Sequence, residues 1–367
     1  MAWPGKAPGF WGFALKYVPW AFSLNPNQMI LYFGTVRRGA PLAEGGELVK
    51  LDWSRKKVLA RQPIVPRHPD VSHDPNPRGR TRGCRGIQYA KGRLVAANYH
   101  SLEVFDRDLN RQDTVSNGMM VGLHELDRDP DENIWLTSTA IDAAVKVDPL
   151  SGKVLDKVLP REIEPFRKAF DLEALPLNKE ADNRDKYLAI KPKEDPGHVH
   201  LNAVKRQAGK LYALFNRFGA LVNLTDQKVV LQDARIRGAH NITFISDGMV
   251  AINDSVRARI RFFDLATGEL SGSINLKRKA PLLPHTGYAR LRYRGEQVLR
   301  KMNLLKAQVL AKPLFVRGLA KFGDWLFAGT SPGMILCFDW RSGKLVDYFV
   351  YERDTRVAIH GLQCLEA

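Results

Sequence analysis

The chain alternates short apolar runs with turn residues along most of its length. Residues 84–115 contain the runs GIQYA, RLVAANY and LEVFD, and a fourth run follows the turn at Asp106–Asn110. Short apolar runs bounded by Gly, Asn and Asp are typical of strands. The same four-strand pattern returns in residues 123–159, 201–232, 240–274 and 316–350. Four-stranded repeats of this length predict a β-propeller.

A sixth repeat is divided between the two ends of the chain. Residues 29–64 supply a second, third and fourth strand, and the C-terminal IHGLQCLEA (359–367) matches the missing first strand. One terminus completing a sheet begun by the other is how a propeller closes its ring. We therefore predict an all-β fold, a single-domain six-bladed propeller over residues 1–367, closed by the C-terminal strand.

Three insertions interrupt the repeats, and one of them precedes every second blade. Connections between an outer strand and the next inner strand run on the face where inner strands begin, so the insertions are expected to cap that face. The third insertion holds ten Lys or Arg residues against Glu296, and Tyr288–Leu310 has the spacing of a basic amphipathic helix. The predicted blades span 29–64 with 357–367, 83–115, 121–159, 199–232, 238–276 and 316–350, and the insertions span 65–82, 160–198 and 277–315.

Turns such as Asp148-Pro-Leu-Ser-Gly and Asp264-Leu-Ala-Thr-Gly recur between third and fourth strands. With segments such as VFDRDLN and VKVDPLSGKVL, they give the chain a pattern that resembles the NHL-repeat, gluconolactonase and strictosidine-synthase type of six-bladed propeller. The resemblance is to the fold alone. It implies a ligand site on the axis, where gluconolactonase-like proteins hold a divalent ion with acidic and amide side chains.

This chain departs from that ligand set. Aligning the six first strands on their apolar position places a polar residue two positions earlier in every blade, where an inner strand meets the mouth of the channel. Histidine occupies this position in alternate blades, so three imidazoles are expected to converge on the axis. The six residues, here called the ring, are Arg85, His124, Asn202, His240, Arg317 and His360.

Three convergent imidazoles are a suitable ligand set for a divalent metal, zinc or else iron or manganese. His124, His240 and His360 are the predicted ligands. His200, from a His-x-His pair with His198, is a further candidate. Arg85 and Arg317 repel a bare metal ion but suit a small anionic substrate between metal and guanidinium. A metal-free anion site is the alternative that these residues leave open.

Second strands end near the same mouth and supply further candidates. Asp254 is the predicted general base or metal-orienting residue, and Glu125, beside His124, is its rival. Asn98, Asn253 and the ring residue Asn202 are expected to contact the substrate.

These residues predict a metal-dependent enzyme that acts on a small anionic substrate. A hydrolase or lyase is favoured, and a redox metal would allow oxygenase chemistry. Walker, GxGxxG, HExxH and GxSxG motifs are missing from the sequence. The alternative is a non-catalytic binding propeller whose basic cap, residues 277–315, holds an acidic protein, an anionic membrane surface or nucleic acid.

Composition adds three points. A net charge of +17 suits an anionic partner or substrate. Three widely spaced cysteines favour a reducing compartment, hence a cytoplasmic location, and no run is long enough for a transmembrane helix. The aromatic N-terminal segment 1–24 is interpreted as covering one end of the fold, with a membrane-surface or export element as the alternative. The oligomeric state stays open.

Overall fold

The fold is an all-β six-bladed propeller, which confirms the prediction. The computed structural model describes residues 29–66, 81–184, 197–305 and 310–366. Within them, six antiparallel sheets of four strands each are hydrogen-bonded in the order inner to outer. The N-terminal segment 1–24 and parts of all three insertions lie outside the described residues.

The strands follow chain order within each blade. Blade one has β1 (Met29–Arg37), β2 (Glu47–Asp52) and β3 (Lys57–Pro63), with β24 (Val357–Glu366) as inner strand. Blade two has β4 (Ile87–Ala90), β5 (Arg93–Ala97), β6 (Leu102–Phe105) and β7 (Arg111–Val115). Blade three has β8 (Leu123–Arg128), β9 (Ile134–Ser138), β10 (Ala143–Val147) and β11 (Val154–Val158).

The remaining blades repeat this arrangement. Blade four has β12 (Leu201–Gln207), β13 (Lys210–Phe215), β14 (Ala220–Asn223) and β15 (Lys228–Gln232). Blade five has β16 (His240–Ser246), β17 (Met249–Asp254), β18 (Arg259–Asp264) and β19 (Leu270–Asn275). Blade six has β20 (Arg317–Phe322), β21 (Trp325–Thr330), β22 (Met334–Asp339) and β23 (Leu345–Val350).

The two ends of the chain close the ring as the repeats predict. Strand β24 pairs antiparallel with β1, from Met29 opposite Glu366 to Arg37 opposite Val357. Strand β24 starts at the mouth of the channel and ends at Glu366. Because Met29 lies opposite Glu366, β1 begins at the end of blade one that is remote from the mouth.

The apolar core is divided among the blade interfaces. Six clusters of buried side chains are found among the described residues, one between each pair of neighbouring blades. Between blades one and six, Trp53 packs edge-to-face on Phe327 at 5.1 Å between ring centroids. Burial of these apolar faces, at roughly 25 cal/mol per Å², is the main force that holds the sheets together.

Two α-helices lie in the insertions. α1 (Glu164–Phe170) buries Phe166 and Phe170 against blade four. α2 (Leu283–Lys301) is the predicted helix of the basic insertion. It begins before Tyr288, because Pro284 suits a first helical turn. It ends at Lys301 rather than at the predicted Leu310. Asn303, two residues after this end, takes the left-handed conformation that commonly terminates a helix (φ 58°).

Neither helix resembles a transmembrane segment. Within the described residues, no helix is long and apolar enough to cross a membrane.

Candidate functional site

The ring residues lie where the inner strands begin, and backbone irregularities recur there. In β8, β12, β16, β20 and β24 the pairing register shifts at the ring residue or the residue after it. A β-bulge of this kind locally twists a strand and re-aims its side chains. Each of these five blades thus has a local break in its ladder at the mouth of the channel.

Neighbouring inner strands approach closely at this level. A Cβ built on Gly361 would lie 2.0 Å from the carbonyl oxygen of Arg85 in the next blade. A Cβ on Gly318 would lie 2.7 Å from the carbonyl oxygen of His360. These two positions accept only glycine without backbone movement, and the ring is correspondingly narrow.

Arginine and histidine form pairs across blade boundaries. Arg85 donates from Nη1 to Nε2 of His124 (3.0 Å), and Arg317 donates from Nη1 to Nε2 of His360 (2.8 Å). Asn202 occupies the equivalent place in the third pair of blades and donates from Nδ2 to the carbonyl oxygen of Ala239 (3.2 Å). The alternation of ring residues along the sequence thus corresponds to contacts in the structure. The ring residue of each even-numbered blade donates a hydrogen bond across the boundary to the next blade.

His240 has a different environment from the other two ring histidines. Its Nδ1 lies 2.9 Å from the Oγ of Ser255, and that hydroxyl donates to the carbonyl oxygen of Val316 at 2.6 Å. Since the hydroxyl proton is used on Val316, the Ser255 oxygen accepts from Nδ1–H of His240. We therefore assign the neutral His240 tautomer whose lone pair is on Nε2.

The imidazoles form a chain of ring contacts. His124 lies 6.3 Å from His240 and 5.7 Å from His200, and His200 lies 5.4 Å from His198 (all between ring centroids). His198 in turn faces the buried carboxylate of Asp142 at 3.7 Å. The structure therefore brings His200 beside His124, as the His-x-His spacing suggested.

Burial and neighbouring arginines dominate the electrostatics of the ring residues. Burial is the main cause that holds the pKa values of His124, His240 and His360 well below the ordinary 6.5, and nearby arginines lower them further. The pKa of Arg317 is also held well below its usual range, by burial and by Arg38 and Arg85. Among the described residues, the charged side chains with the largest effects on these four pKa values are arginines, with the neighbouring ring imidazoles and His200 next.

Arg317 has few contacts that stabilise its charge. Its guanidinium lies over the Phe315 ring at 5.0 Å and donates to His360, a neutral acceptor. Its Nε is buried and has no hydrogen-bond partner within the described ranges. The residue keeps partial access to the mouth. The described residues therefore compensate the charge of Arg317 poorly.

The predicted carboxylates lie apart from this cluster. Asp254 is fully buried and accepts from Arg261 at 2.9 Å, with Arg257 at 3.5 Å, so its carboxylate is held within blade five. Glu125 points into the channel beneath the ring and accepts a short hydrogen bond from Asn241. Burial raises the pKa of Glu125 to about 7, although Lys205 and the Asn241 hydrogen bond lower it.

The channel beneath the ring is a cavity of about 210 Å³ lined by all six inner strands. Polar side chains in its wall include Glu125, Lys205 and Thr243. The Nζ of Lys205 lies 2.6 Å from the carboxylate of Asp127. Glu125 is therefore better placed than Asp254 to exchange a proton with the channel.

Of the predicted amides, Asn253 contacts an inner strand, whereas the known contact of Asn98 is local. Asn253 donates from Nδ2 to the carbonyl oxygen of Gly318 at 3.1 Å. Asn98 accepts from the backbone N–H of Tyr99 at 2.6 Å, as in a local turn. Asn241, which the sequence did not single out, connects Glu125 to the backbone N–H of Gly318 (2.8 Å).

Arg38 is the other mouth residue that sequence reasoning missed. It follows the end of β1, the second strand of blade one, and contributes to the depressed pKa values of Arg317 and His360. Because second strands end at the mouth, the residue after β1 is the sequence signal that points to Arg38.

The comparisons with known proteins extend only to the fold. No known family model and no curated protein sequence matches the chain. A crystal structure of a Bacteroides caccae protein of unknown function is similar, with a TM-score of 0.55 and 10% identity. The match covers 93% of this chain and 100% of that one. The Neurospora crassa Pan2 WD40 domain gives a TM-score of 0.43 and 10% identity, over 85% of this chain and 72% of that one.

Proposed function

We propose that the mouth of the propeller binds a small anion and that this anion is the substrate of an enzyme. One observation carries the proposal: among the described residues, the charged groups that most strongly perturb Arg317 and the three ring histidines are cations. Grouped cations in a partly dehydrated site repel one another unless an anion lies among them. Electrostatic complementarity therefore favours a carboxylate, phosphate or sulfate group in the mouth.

Arg85 and Arg317 are suited to hold such a group. Guanidinium binds carboxylate, phosphate and sulfate oxygens through paired N–H donors, and charged hydrogen bonds are stronger than the bonds to neutral imidazole that it makes here. An anion would thus take over donors that now face His124 and His360. Those imidazoles then lie beside the bound group.

His240 is the residue best placed for proton transfer. Its Nδ1–H is fixed by Ser255, its Nε2 carries the lone pair, and its low pKa keeps the imidazole neutral at pH 7. A neutral imidazole of fixed orientation is a general base. Hydrolysis or elimination, the predicted reaction classes, both use such a base.

The cytoplasmic location also stays a prediction.

A metal-dependent form of this enzyme is the second candidate. Two imidazoles on one zinc have ring centroids about 5 Å apart, from a Zn–N distance of about 2.0–2.1 Å and a tetrahedral angle. His124 has two imidazole neighbours near this separation, His200 and His240. Over the described ranges, no three His, Cys, Asp or Glu side chains are arranged to hold a metal ion.

The ligand set matters for this candidate. In the structure, Nε2 of His124 and of His360 accepts from arginine, so a metal ion on either nitrogen would replace that hydrogen bond. The ring differs from the ligand set of gluconolactonase-like propellers, which is acidic and amide side chains. Its own side chains are imidazole, guanidinium and one amide, and none of them is acidic. Zinc, iron or manganese on His124, His200 and His240 would polarise the anion or activate its water.

Calorimetric titration with sulfate, inorganic phosphate and malonate tests the anion site. We expect wild type to bind at least one probe and Arg85→Gln and Arg317→Gln to lose roughly 10-fold or more in affinity, since a charged hydrogen bond contributes about 1.5–3 kcal/mol. Arg341→Gln, an exposed residue paired with Asp324, is the control. Sulfate affinity should also rise below pH 7, as a bound anion raises the histidine pKa values. Binding unchanged in both ring variants would contradict the proposal.

Elemental analysis of the full chain tests the metal. Near-stoichiometric metal in wild type, lost in His124→Ala and His240→Ala but kept in the cap variant His285→Ala, would support the metal-dependent form. Chelator-free protein that contains no metal and takes up no zinc, iron or manganese would overturn it and leave the metal-free anion site.

A further inference from the structure

Helix α2 exposes most of its large apolar side chains and buries two polar ones. The residues that it buries are Thr286, Ala289 and Glu296. Its exposed residues include Leu291, which is 70% exposed, and Tyr288, which is 63% exposed. A surface helix of a globular protein normally shows the opposite arrangement.

The exposed apolar residues share one side of the helix. At 100° per residue, Leu291 and Val298 lie near its centre and Tyr288 and Leu299 along one edge. Exposed apolar residues after the helix extend this apolar side. The apolar cap face consists of Leu283, Tyr288, Leu291, Val298, Leu299, Met302, Leu304 and Leu305, all at least 40% exposed.

Contacts of the helix with the propeller fix this orientation. Leu282, just before the helix, is buried in the cluster between blades five and six, and Leu314 beyond it is buried in the same cluster. Glu296 accepts from the backbone N–H of Leu310 at 3.0 Å on the inner side. His285 packs edge-to-face on Tyr348 at 5.6 Å. The helix cannot turn its apolar side inward without losing these contacts.

Cations border the apolar cap face on both sides. Arg294 and Lys301 follow one edge of the helix, and Arg292 lies on the other, 5.7 Å from the Tyr288 ring. The only acidic residue of segment 277–315 is Glu296, which is buried. The exposed surface of this segment therefore combines apolar residues with positively charged ones.

We propose that α2 docks in the plane of an anionic membrane surface. An apolar stripe bordered by Lys and Arg is the pattern of an interfacial helix, whose apolar side enters the bilayer boundary while its cations meet lipid phosphates and carboxylates. Nucleic acid would use the cations but leave the apolar stripe exposed. A second copy of the chain would cover the apolar stripe but oppose like charges across the interface.

Co-sedimentation of the full chain with vesicles tests this proposal. We expect binding to phosphatidylcholine vesicles that contain phosphatidylserine, and little binding to phosphatidylcholine alone. Binding should fall strongly in about 1 M salt, where the Debye length is about 3 Å. Equal binding to both vesicles, or none to either, would overturn the proposal.

Leu291→Asp and Val298→Asp test the apolar contribution. Both residues are exposed, so the fold should tolerate the change, and melting temperature and circular dichroism verify it. We expect the double variant to lose binding to the anionic vesicles. Leu155→Asp, at a residue that is 44% exposed on the outer strand β11, should leave binding unchanged. Unchanged binding in the double variant would assign vesicle contact to another part of the chain and overturn the proposal.

Charge reversal tests the electrostatic contribution. Replacing Arg292, Arg294 and Lys301 together by Glu should weaken vesicle binding on the order of 100-fold, since each surface cation contributes about fivefold. The matched control reverses Lys153, Lys228 and Lys344, which are exposed on other blades, and should keep binding near wild type.

Two other outcomes would replace a membrane by a different occupant. A concentration-dependent dimer that Leu291→Asp abolishes would show that a second copy covers the apolar cap face. Salt-sensitive binding to nucleic acid or to an acidic protein, unaffected by Leu291→Asp, would show that the cations act alone.

Discussion

Replacing Arg317 by Met should stabilise the ligand-free protein while abolishing anion binding. The substitution removes a guanidinium whose described contacts are a neutral imidazole and a phenyl ring, with cations as its charged neighbours. It keeps an unbranched side chain of similar length. The expected sign is unusual, because loss of a buried polar group normally destabilises a protein.

Three contributions set the magnitude. Relief of partial desolvation gives about 2 kcal/mol, a discounted share of the several kcal/mol for a fully buried ion. Relief of repulsion from Arg38 and Arg85 adds about 1 kcal/mol each at intermediate dielectric. The lost hydrogen bond to His360 costs about 2 kcal/mol. The net gain of about 2 kcal/mol corresponds to a rise in melting temperature of roughly 2–3 °C for a chain of 367 residues.

Differential scanning calorimetry with and without sulfate is the assay. At about 100 times its dissociation constant, a ligand stabilises the folded state by about 2.7 kcal/mol, so sulfate should raise the wild-type melting temperature by roughly 3 °C and leave Arg317→Met unchanged. Arg341→Met, at an exposed ion pair, serves as control. A ligand-free variant that melts several degrees lower and still responds to sulfate would refute the reasoning.

Two further predictions concern the ring and its channel. Glu125→Gln should raise stability increasingly from pH 5 to pH 7 and then level off at a gain of about 3 kcal/mol by pH 8, because a carboxyl whose pKa is raised from 4.5 to about 7 destabilises the fold as it ionises. Urea unfolding at pH 5, 7 and 8 measures this gain, and a pH-independent difference would contradict it. Gly361→Ala should destabilise the folded state by about 3 kcal/mol, since its Cβ would meet the Arg85 carbonyl oxygen. Gly248→Ala is the control, because a Cβ there meets nothing within 4 Å. Equal melting temperatures of these two variants would contradict the close approach.

The fold was predictable because propeller blades repeat. Each blade is a local four-strand meander with its own turn signals, so one pattern found six times fixes strand order, closure and the face on which the insertions lie. The ring positions followed from counting back from the apolar residue of each inner strand. Helix α2 was predicted from spacing, but not its inverted orientation, which depends on Leu282 and Leu314 packing between blades.

The contacts within the mouth were less predictable, because they depend on side-chain directions across blade boundaries. The sequence placed Arg85 and His124 in adjacent blades but could not show that a guanidinium donates to the imidazole. Asp254 was a reasonable candidate by position, yet Arg261 on the neighbouring strand holds its carboxylate inside the blade. A carboxylate with an arginine diagonally across from it on the neighbouring strand is one that sequence reasoning should discount.

The closed architecture explains how the chain tolerates a cationic mouth. Each blade interface has its own apolar cluster, so the free energy that holds the ring together comes from many sites remote from the axis. Repulsion between Arg85, Arg317 and Arg38 is opposed by these interfaces and can persist in the folded state. A site whose residues act against stability, in a scaffold that can sustain them, is typical of a functional site. The melting temperature of ligand-free Arg317→Met, compared with that of wild type, measures that opposition directly.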